Sequence, residues 1–235
     1  MLVIGHRGAA GLAPENTLEA LHAGMEAGGD MLEFDVRLTK DKIPILIHDF
    51  HALRTHKSAS IISRHTFADL QKHTETPLVK LTDVLDEFFG KIMLNIELKG
   101  RGTGKVVARI LKKHYIKKPR DWDNLLISSY RASELWSIRR ASSEANLALL
   151  HSENPFIFIA YQRKLHLTAV GFHRLYLNPF ALEIAKRAGL FLYAYTVNRP
   201  GSSLVLGREG IDGVVTDRPD IIIKDIEKHA EQPPY

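Results

Sequence analysis

Thr82-Asp83-Val84-Leu85-Asp86-Glu87-Phe88-Phe89-Gly90 is followed, after Lys91, by Ile92-Met93-Leu94-Asn95-Ile96-Glu97-Leu98-Lys99. The first stretch reads as a helix: Thr82 is a candidate N-cap, Asp83 and Asp86-Glu87 put negative charge at its start, and Gly90 stops it. The second reads as a strand, a short apolar run whose charges come only at its end. Helix followed by strand then recurs in both directions. Strand candidates fall at 2–6, 31–37, 43–47, 92–98, 125–129, 146–150, 169–177, 190–197 and 211–216. Helix candidates lie at 17–27, 82–89, 103–115, 132–140, 156–165, 179–188, 200–208 and 219–229. Asn178-Pro179 supplies a cap followed by an N1 proline, and Gly189 closes that helix.

Strands alternating with helices imply right-handed βαβ units on a parallel sheet. About eight such units in a chain this long fit a closed (β/α)8 TIM barrel. An open doubly wound sheet is the competing architecture, but no G-x-G-x-x-G follows the first strand. No Gly-, Ser- or Pro-rich linker divides residues 1–235, so one domain is expected. The polar stretch 51–77 breaks the alternation, with one short helix candidate after Thr66. It reads as an insertion after the second strand, on the face where barrel enzymes build their sites. The tail Glu231-Gln232-Pro233-Pro234-Tyr235 is expected to fray.

Composition bounds the chemistry. Hydrophobic residues make up 45% of the 235, enough for a sizeable core, and 32 basic against 27 acidic residues leave a net charge of +5. There is no cysteine, which excludes a disulfide scaffold, a thiolate metal site and a Cys nucleophile. The apolar opening Met1-Leu2-Val3-Ile4 is too short for a signal-peptide core, and the run Phe156 to Tyr161 is too short for a bilayer span. A cytoplasmic protein with no stable membrane insertion is expected. No basic stripe interleaved with aromatics supports a nucleic-acid partner, and the pattern specifies no oligomeric state.

Barrel active sites lie at the C-terminal ends of the strands. Strand one ends in His6-Arg7-Gly8, strand two carries Glu33-Phe34-Asp35, the segment 43–47 ends in His48-Asp49, and strand three carries Asn95, Glu97 and Lys99. Side chains two apart share a strand face, so Glu33 points with Asp35, and Asn95 with Glu97 and Lys99. Three converging carboxylates repel unless a cation neutralises them, and an all-oxygen set selects Mg²⁺ or Ca²⁺. Ion pairing of Glu97 with Lys99, or of Asp35 with Arg37, is the competing arrangement. Most of the 12 histidines read as surface or packing residues. His6 and His48 differ in ending strands beside carboxylates, and such a pair can divide proton transfer. Arg7 and Lys99 add positive charge for an anionic substrate. The set suits displacement at a phosphodiester.

These residues, with Pro14-Glu15-Asn16-Thr17, Thr39-Lys40-Asp41, Tyr195-Thr196-Val197-Asn198 and Asp212-Gly213-Val214-Val215-Thr216-Asp217-Arg218-Pro219, resemble the glycerophosphodiester phosphodiesterases in order and spacing from Gly5 to Asp220. The resemblance implies a metal-dependent barrel that cleaves glycerophosphodiesters to sn-glycerol 3-phosphate and an alcohol through a cyclic phosphate. It implies Glu33, Asp35 and Glu97 as metal ligands, His6 and His48 as the acid/base pair, Arg7 and Lys99 as phosphate contacts, and Tyr195 as the aromatic lining the glycerol pocket. Where the family has Arg-Thr-Thr and glycines after His-Asp, this chain has Arg54-Thr55-His56-Lys57-Ser58; Tyr195 replaces the usual Trp. Two alternatives follow the same constellation: a lysophospholipase D or sphingomyelinase D, needing an apolar surface for acyl chains, and a non-catalytic phosphate-binding barrel. Phe156-Ile157-Phe158-Ile159 is expected to pack as core. Asp217 and Pro14-Glu15-Asn16-Thr17 are each also readable as plain helix starts.

Overall fold

The alternation closes on itself. In the computed structural model, which describes residues 1–151 and 153–230, the strands are β1 (Leu2–Gly5), β2 (Met31–Leu38), β3 (Pro44–Leu46), β4 (Met93–Leu98), β5 (Leu125–Ser129), β6 (Leu147–His151), β7 (Ala169–His173), β8 (Phe191–Tyr195) and β9 (Gly213–Thr216). The first strand pairs in parallel with both β2 and β9, so eight parallel strands form a closed wall in the order β1-β2-β4-β5-β6-β7-β8-β9. The helices are α1 (Leu18–Glu26), α2 (Leu53–His56), α3 (Phe67–His73), α4 (Leu81–Phe88), α5 (Thr103–Ile110), α6 (Ala132–Ala141), α7 (Ile157–Leu165), α8 (Pro179–Arg187), α9 (Ser202–Arg208) and α10 (Pro219–Ala230). This is the (β/α)8 barrel that the periodicity implied. The tail from Glu231 lies outside the described residues.

Strand parity divides the apolar residues into two cores. Outward positions such as Leu32, Phe34, Leu94, Ile96 and Ile127 pack against Leu21, Val84, Val107 and Leu135 of the surrounding helices. Inward positions at the closed end of the barrel are filled by Ile4, Met31, Leu126, Ala148, Leu150, Ala169, Tyr193 and Val215. Further up the same inward face of β2 and β4 the residues turn polar. Met31 is followed by Glu33 and Asp35, paired in register with Asn95 and Glu97.

Several local expectations need correction. The segment 43–47 contributes β3, which runs antiparallel to β2 (Val36 opposite Leu46) and stands outside the barrel wall. A three-residue apolar run carries no direction, and the turn after Thr39 is tight enough for a hairpin, with Lys42 donating its N–H to Thr39 O at 3.0 Å. Helix α4 starts two residues earlier than the Thr82 cap implied. Lys80 holds the cap position, and the Asp83 carboxylate accepts its N–H at 3.0 Å. The run 103–115 is α-helical to Ile110 and then widens into a π turn over Leu111–Tyr115. Strand seven ends at His173 and continues as a 3₁₀ turn, Arg174–Tyr176. Asn178 caps α8 as read, accepting from Phe180 and Ala181 at 3.0 and 3.2 Å. In α7, Phe158 is buried as expected, but Ile157 and Ile159 are exposed.

The insertion holds α2, a 3₁₀ turn at Ile62–Arg64 and α3. It has its own small core of Ile45, Ile47, Ala52, Ile62, Leu70 and Leu78. Thr66 and Asp69 form a reciprocal capping box on α3.

Candidate active site

Glu33, Asp35 and Glu97 project inward from adjacent strands, and one oxygen of each lies within 4.8 Å of the others. All three are buried, so their charges must be matched. Asp35 is matched within the protein. Lys99 Nζ lies 3.2 Å from its Oδ1 and Arg7 Nε 3.4 Å from its Oδ2. Asn16 donates to Oδ2 at 2.9 Å and accepts the Asp35 N–H at 3.0 Å. Burial alone would push Asp35 up, but Lys99, Arg7 and His48 outweigh it and hold the carboxyl at about 2. Glu33 is not matched. Its Oε2 accepts the Arg7 backbone N–H at 2.8 Å, while its Oε1 and the nearby Asn95 Oδ1 are buried without a partner among the described residues. Burial and the negative charge of Asp35 push Glu33 up to about 8. Burial and Asp35 also raise Glu97, against the pull of Lys99 at 2.6 Å.

The Glu97–Lys99 ion pair therefore forms, while Asp35 takes Lys99 and Arg7 in place of Arg37. These pairs leave Glu33 needing a proton or a cation. The orphaned oxygens and all-oxygen donor set fit a hard divalent ion.

The turn after β1 aims the next groups. Arg7 has φ +51° and Gly8 φ +88°; a Cβ on Gly8 would lie 2.5 Å from the Ala20 carbonyl carbon, so only glycine fits there. The turn presents the Arg7 N–H to Glu33 and sets His6 at the barrel mouth. His6 Nδ1 donates to Asp217 Oδ1 at 2.6 Å, and Asn198 Nδ2 donates to Asp217 Oδ2 at 2.5 Å. Burial opposes protonation of His6, but Asp217 and Glu33 prevail and raise its pKa. His48 reaches the same rim because β3 doubles back beside β2, with Ile47 N–H donating to Asp35 O at 3.0 Å. Its Nδ1 donates to Asp49 Oδ1 at 2.7 Å, and Arg37 Nε donates to its carbonyl at 2.7 Å. Burial lowers the His48 pKa, against the pull of Asp35. Each imidazole thus has Nδ1 committed to a carboxylate and Nε2 left for other partners.

Charges of alternating sign tie the insertion to this centre. Arg54 donates Nε to Asp49 at 2.8 Å and Nη2 to Glu15 at 2.7 Å, and Arg7 Nη1 donates to the same Glu15 oxygen at 2.7 Å. Opposite, Tyr130 OH donates to Tyr195 OH at 2.8 Å, Tyr195 OH donates to the His151 carbonyl at 2.5 Å, and Lys99 Nζ sits 5.6 Å from the Tyr130 ring centroid. A cavity of about 30 Å³ lies between, lined by His6, Glu33, Glu97, Leu150, Tyr193 and Tyr195.

All eight residues singled out from the sequence are therefore at one mouth of the barrel. Missed as site residues were Asn16, which holds Asp35 although Thr17 caps α1 as read, and Asp217, which holds His6. The Asp217 carboxylate accepts from His6 and Asn198, so Asp217 is no plain helix start. Glu15, within the Pro14–Thr17 motif, likewise carried no role of its own in the sequence. A sequence model of the glycerophosphoryl diester phosphodiesterase family matches residues 6–221. The chain belongs to that family. Its members are phosphoric diester hydrolases, and this chain is one by descent. A glycerophosphodiester phosphodiesterase of Caldanaerobacter subterraneus is 28% identical, covering 97% of this chain and 98% of its own length. The Bacillus subtilis protein YhdW is 30% identical over 96% of this chain and 98% of its own length. Among solved structures, an Oleispira antarctica phosphodiesterase in complex with the product sn-glycerol-3-phosphate is similar at TM-score 0.84 and 28% identity, with 97% of each chain covered. A Thermotoga maritima family member is similar at TM-score 0.81 and 27% identity, covering 95% of this chain and 97% of that one. No helix among the described residues is long and apolar enough to cross a membrane.

Proposed function

We propose that this family member hydrolyses glycerophosphodiesters, the water-soluble remnants of deacylated phospholipids, to sn-glycerol 3-phosphate and an alcohol. The observation that carries the reading is the cluster of three buried carboxylates, incompletely neutralised, between two histidines that each donate Nδ1–H to an aspartate. The similar Oleispira enzyme, in complex with sn-glycerol-3-phosphate, supports this choice of product.

Glu33, Asp35 and Glu97 would hold one Mg²⁺ or Ca²⁺, which when bound supplies neutralising charge to the phosphoryl oxygens. Arg7 and Lys99 contribute the protein's own positive charge to the same oxygens. Tyr195 and Tyr130 bound the pocket for the glycerol half. The glycerol 2-hydroxyl attacks phosphorus and gives up its proton to one imidazole, while the other imidazole protonates the departing alkoxide. That leaves a cyclic phosphate, which water then opens as the proton transfers reverse. Release of sn-glycerol 3-phosphate from glycerophosphocholine tests the reading. His6→Ala or His48→Ala should each cost on the order of 10²–10⁴ in kcat; wild-type rates in both variants would refute it.

A second reading, cleavage of acylated lysophospholipids, is favoured by one observation. Leu175, Tyr176 and Phe180 are exposed, and Tyr176 is linked to Tyr195 through His173 by ring contacts of 5.5 and 5.8 Å. An acyl chain on the glycerol could lie over them. Comparing turnover of glycerophosphocholine with that of its monoacyl analogue separates the two.

A further inference from the structure

On the side of the mouth formed by β2, β4 and the insertion, a second cleft of about 290 Å³ opens outward beside Lys99. Arg37, Lys42, Lys99, Arg101 and Arg131 line it, together with the exposed ring of Phe50, and no Asp or Glu does. Among the described residues, only Lys99 of the five lies within ion-pair distance of a carboxylate. Arg37 is half-buried, and only its Nε has a protein partner, the His48 carbonyl.

Lys42, Arg101 and Arg131 are exposed and, taken singly, would be ordinary solvated side chains. Together with Arg37 they form a concave surface of one sign, where like charges repel and an anion is attracted. The phosphodiester itself does not need them, because Arg7 and Lys99 already stand at the carboxylate cluster. Tyr195 lies on β8, across the mouth from β2 and β4. A diester spanning the mouth with its glycerol half against Tyr195 would place its other half on the β2–β4 side, where the cationic cleft opens.

We propose that this cleft receives the alcohol half of the substrate and selects diesters whose leaving alcohol carries its own anionic group, such as a second phosphate. The inference rests on the hydrolytic reading above and adds to it a preference at the leaving-group side. Arg101 and Arg131 act here as specificity residues that touch the distal anion and not the reacting atoms.

Three diesters sharing one glycerol phosphate half test it: glycerophosphocholine with a cationic alcohol, glycerophosphoglycerol with a neutral one, and bis(glycerophospho)glycerol, whose leaving alcohol bears a phosphodiester. The readout is kcat/KM for sn-glycerol 3-phosphate release, corrected for the two equivalent diesters of the last substrate. The expected order is anionic above neutral above cationic, with about tenfold or more between the extremes at low salt. That ratio should shrink severalfold in the Arg101→Ala/Arg131→Ala variant, recover with Lys at both positions, and compress in about 0.5 M salt. A wild-type ratio near one, or a ratio unmoved by the double substitution, overturns the cleft assignment and leaves hydrolysis standing. No sn-glycerol 3-phosphate from any of the three overturns the hydrolytic reading and the cleft assignment with it.

Discussion

Asp217 does for His6 what Asp49 does for His48: it accepts the Nδ1–H and fixes which nitrogen faces outward. Removing its charge while keeping its shape separates orientation from chemistry. Asp217→Asn should lower kcat on the order of 10²-fold with KM little changed, and steady-state kinetics on glycerophosphocholine check this; an unchanged kcat means that His6 is not held through Asp217. A different histidine carries a stability cost. His151, at the end of β6, is buried with neither ring nitrogen partnered among the described residues, its ring about 6 Å from those of Phe158 and Phe172. Burial pushes its pKa down to about 4. The unfolded chain binds a proton there near pH 6.5 and the folded one does not, so stability falls as pH drops from about 6.5 to 4, by at most about 3 kcal/mol. His151→Phe should remove this part of the slope in denaturant melts across that range; parallel slopes would show that the buried imidazole titrates normally. The pairing of Asp217 with His6 is not visible in the chain, because 211 positions separate them and only closure of β9 onto β1 joins them. Asp49 was legible, being adjacent to His48.

At the scale of elements, the strand pair β2–β4 was readable in detail. Apolar residues on the outer face and charges on the inner face follow from parity alone, and the register places Asp35 beside Glu97. The antiparallel turn-back of β3 was not readable, since direction is set by its pairing with β2, Val36 opposite Leu46 and Leu38 opposite Pro44, and not by its own three residues. Nor was the π turn after Ile110, where the apolar period continues although the backbone widens. One helix contact makes a sharp test. Gly104 of α5 packs against α6, donating its N–H to Glu134 Oε2 at 2.9 Å, and a Cβ there would stand 2.3 Å from the Glu134 carbonyl oxygen. Backbone meets backbone, so no rotamer relieves it. Gly104→Ala should destabilise by about 1–3 kcal/mol in equilibrium unfolding; a loss of only a few tenths would mean that the two helices slide apart freely.

For the whole molecule, barrel closure is what turns scattered motifs into one centre. His6 comes from the β1 end, the carboxylates from β2 and β4, His48 from the turn-back outside the wall, Tyr195 from β8 and Asp217 from beyond β9. The fold was legible because parallel strands buried on both faces stand out as short apolar runs. The site was legible where its groups end those runs, and hidden where they lie in loops such as Asn16. Glu33 and Glu97, both raised by burial and by Asp35, are the groups a divalent ion would neutralise. The most direct measurement is sn-glycerol 3-phosphate release by protein stripped of metal with a chelator, before and after adding Mg²⁺ or Ca²⁺. The account predicts a rate that falls to background and is restored in the wild type but not in Glu33→Gln. Undiminished turnover by protein verified to be metal-free would contradict it.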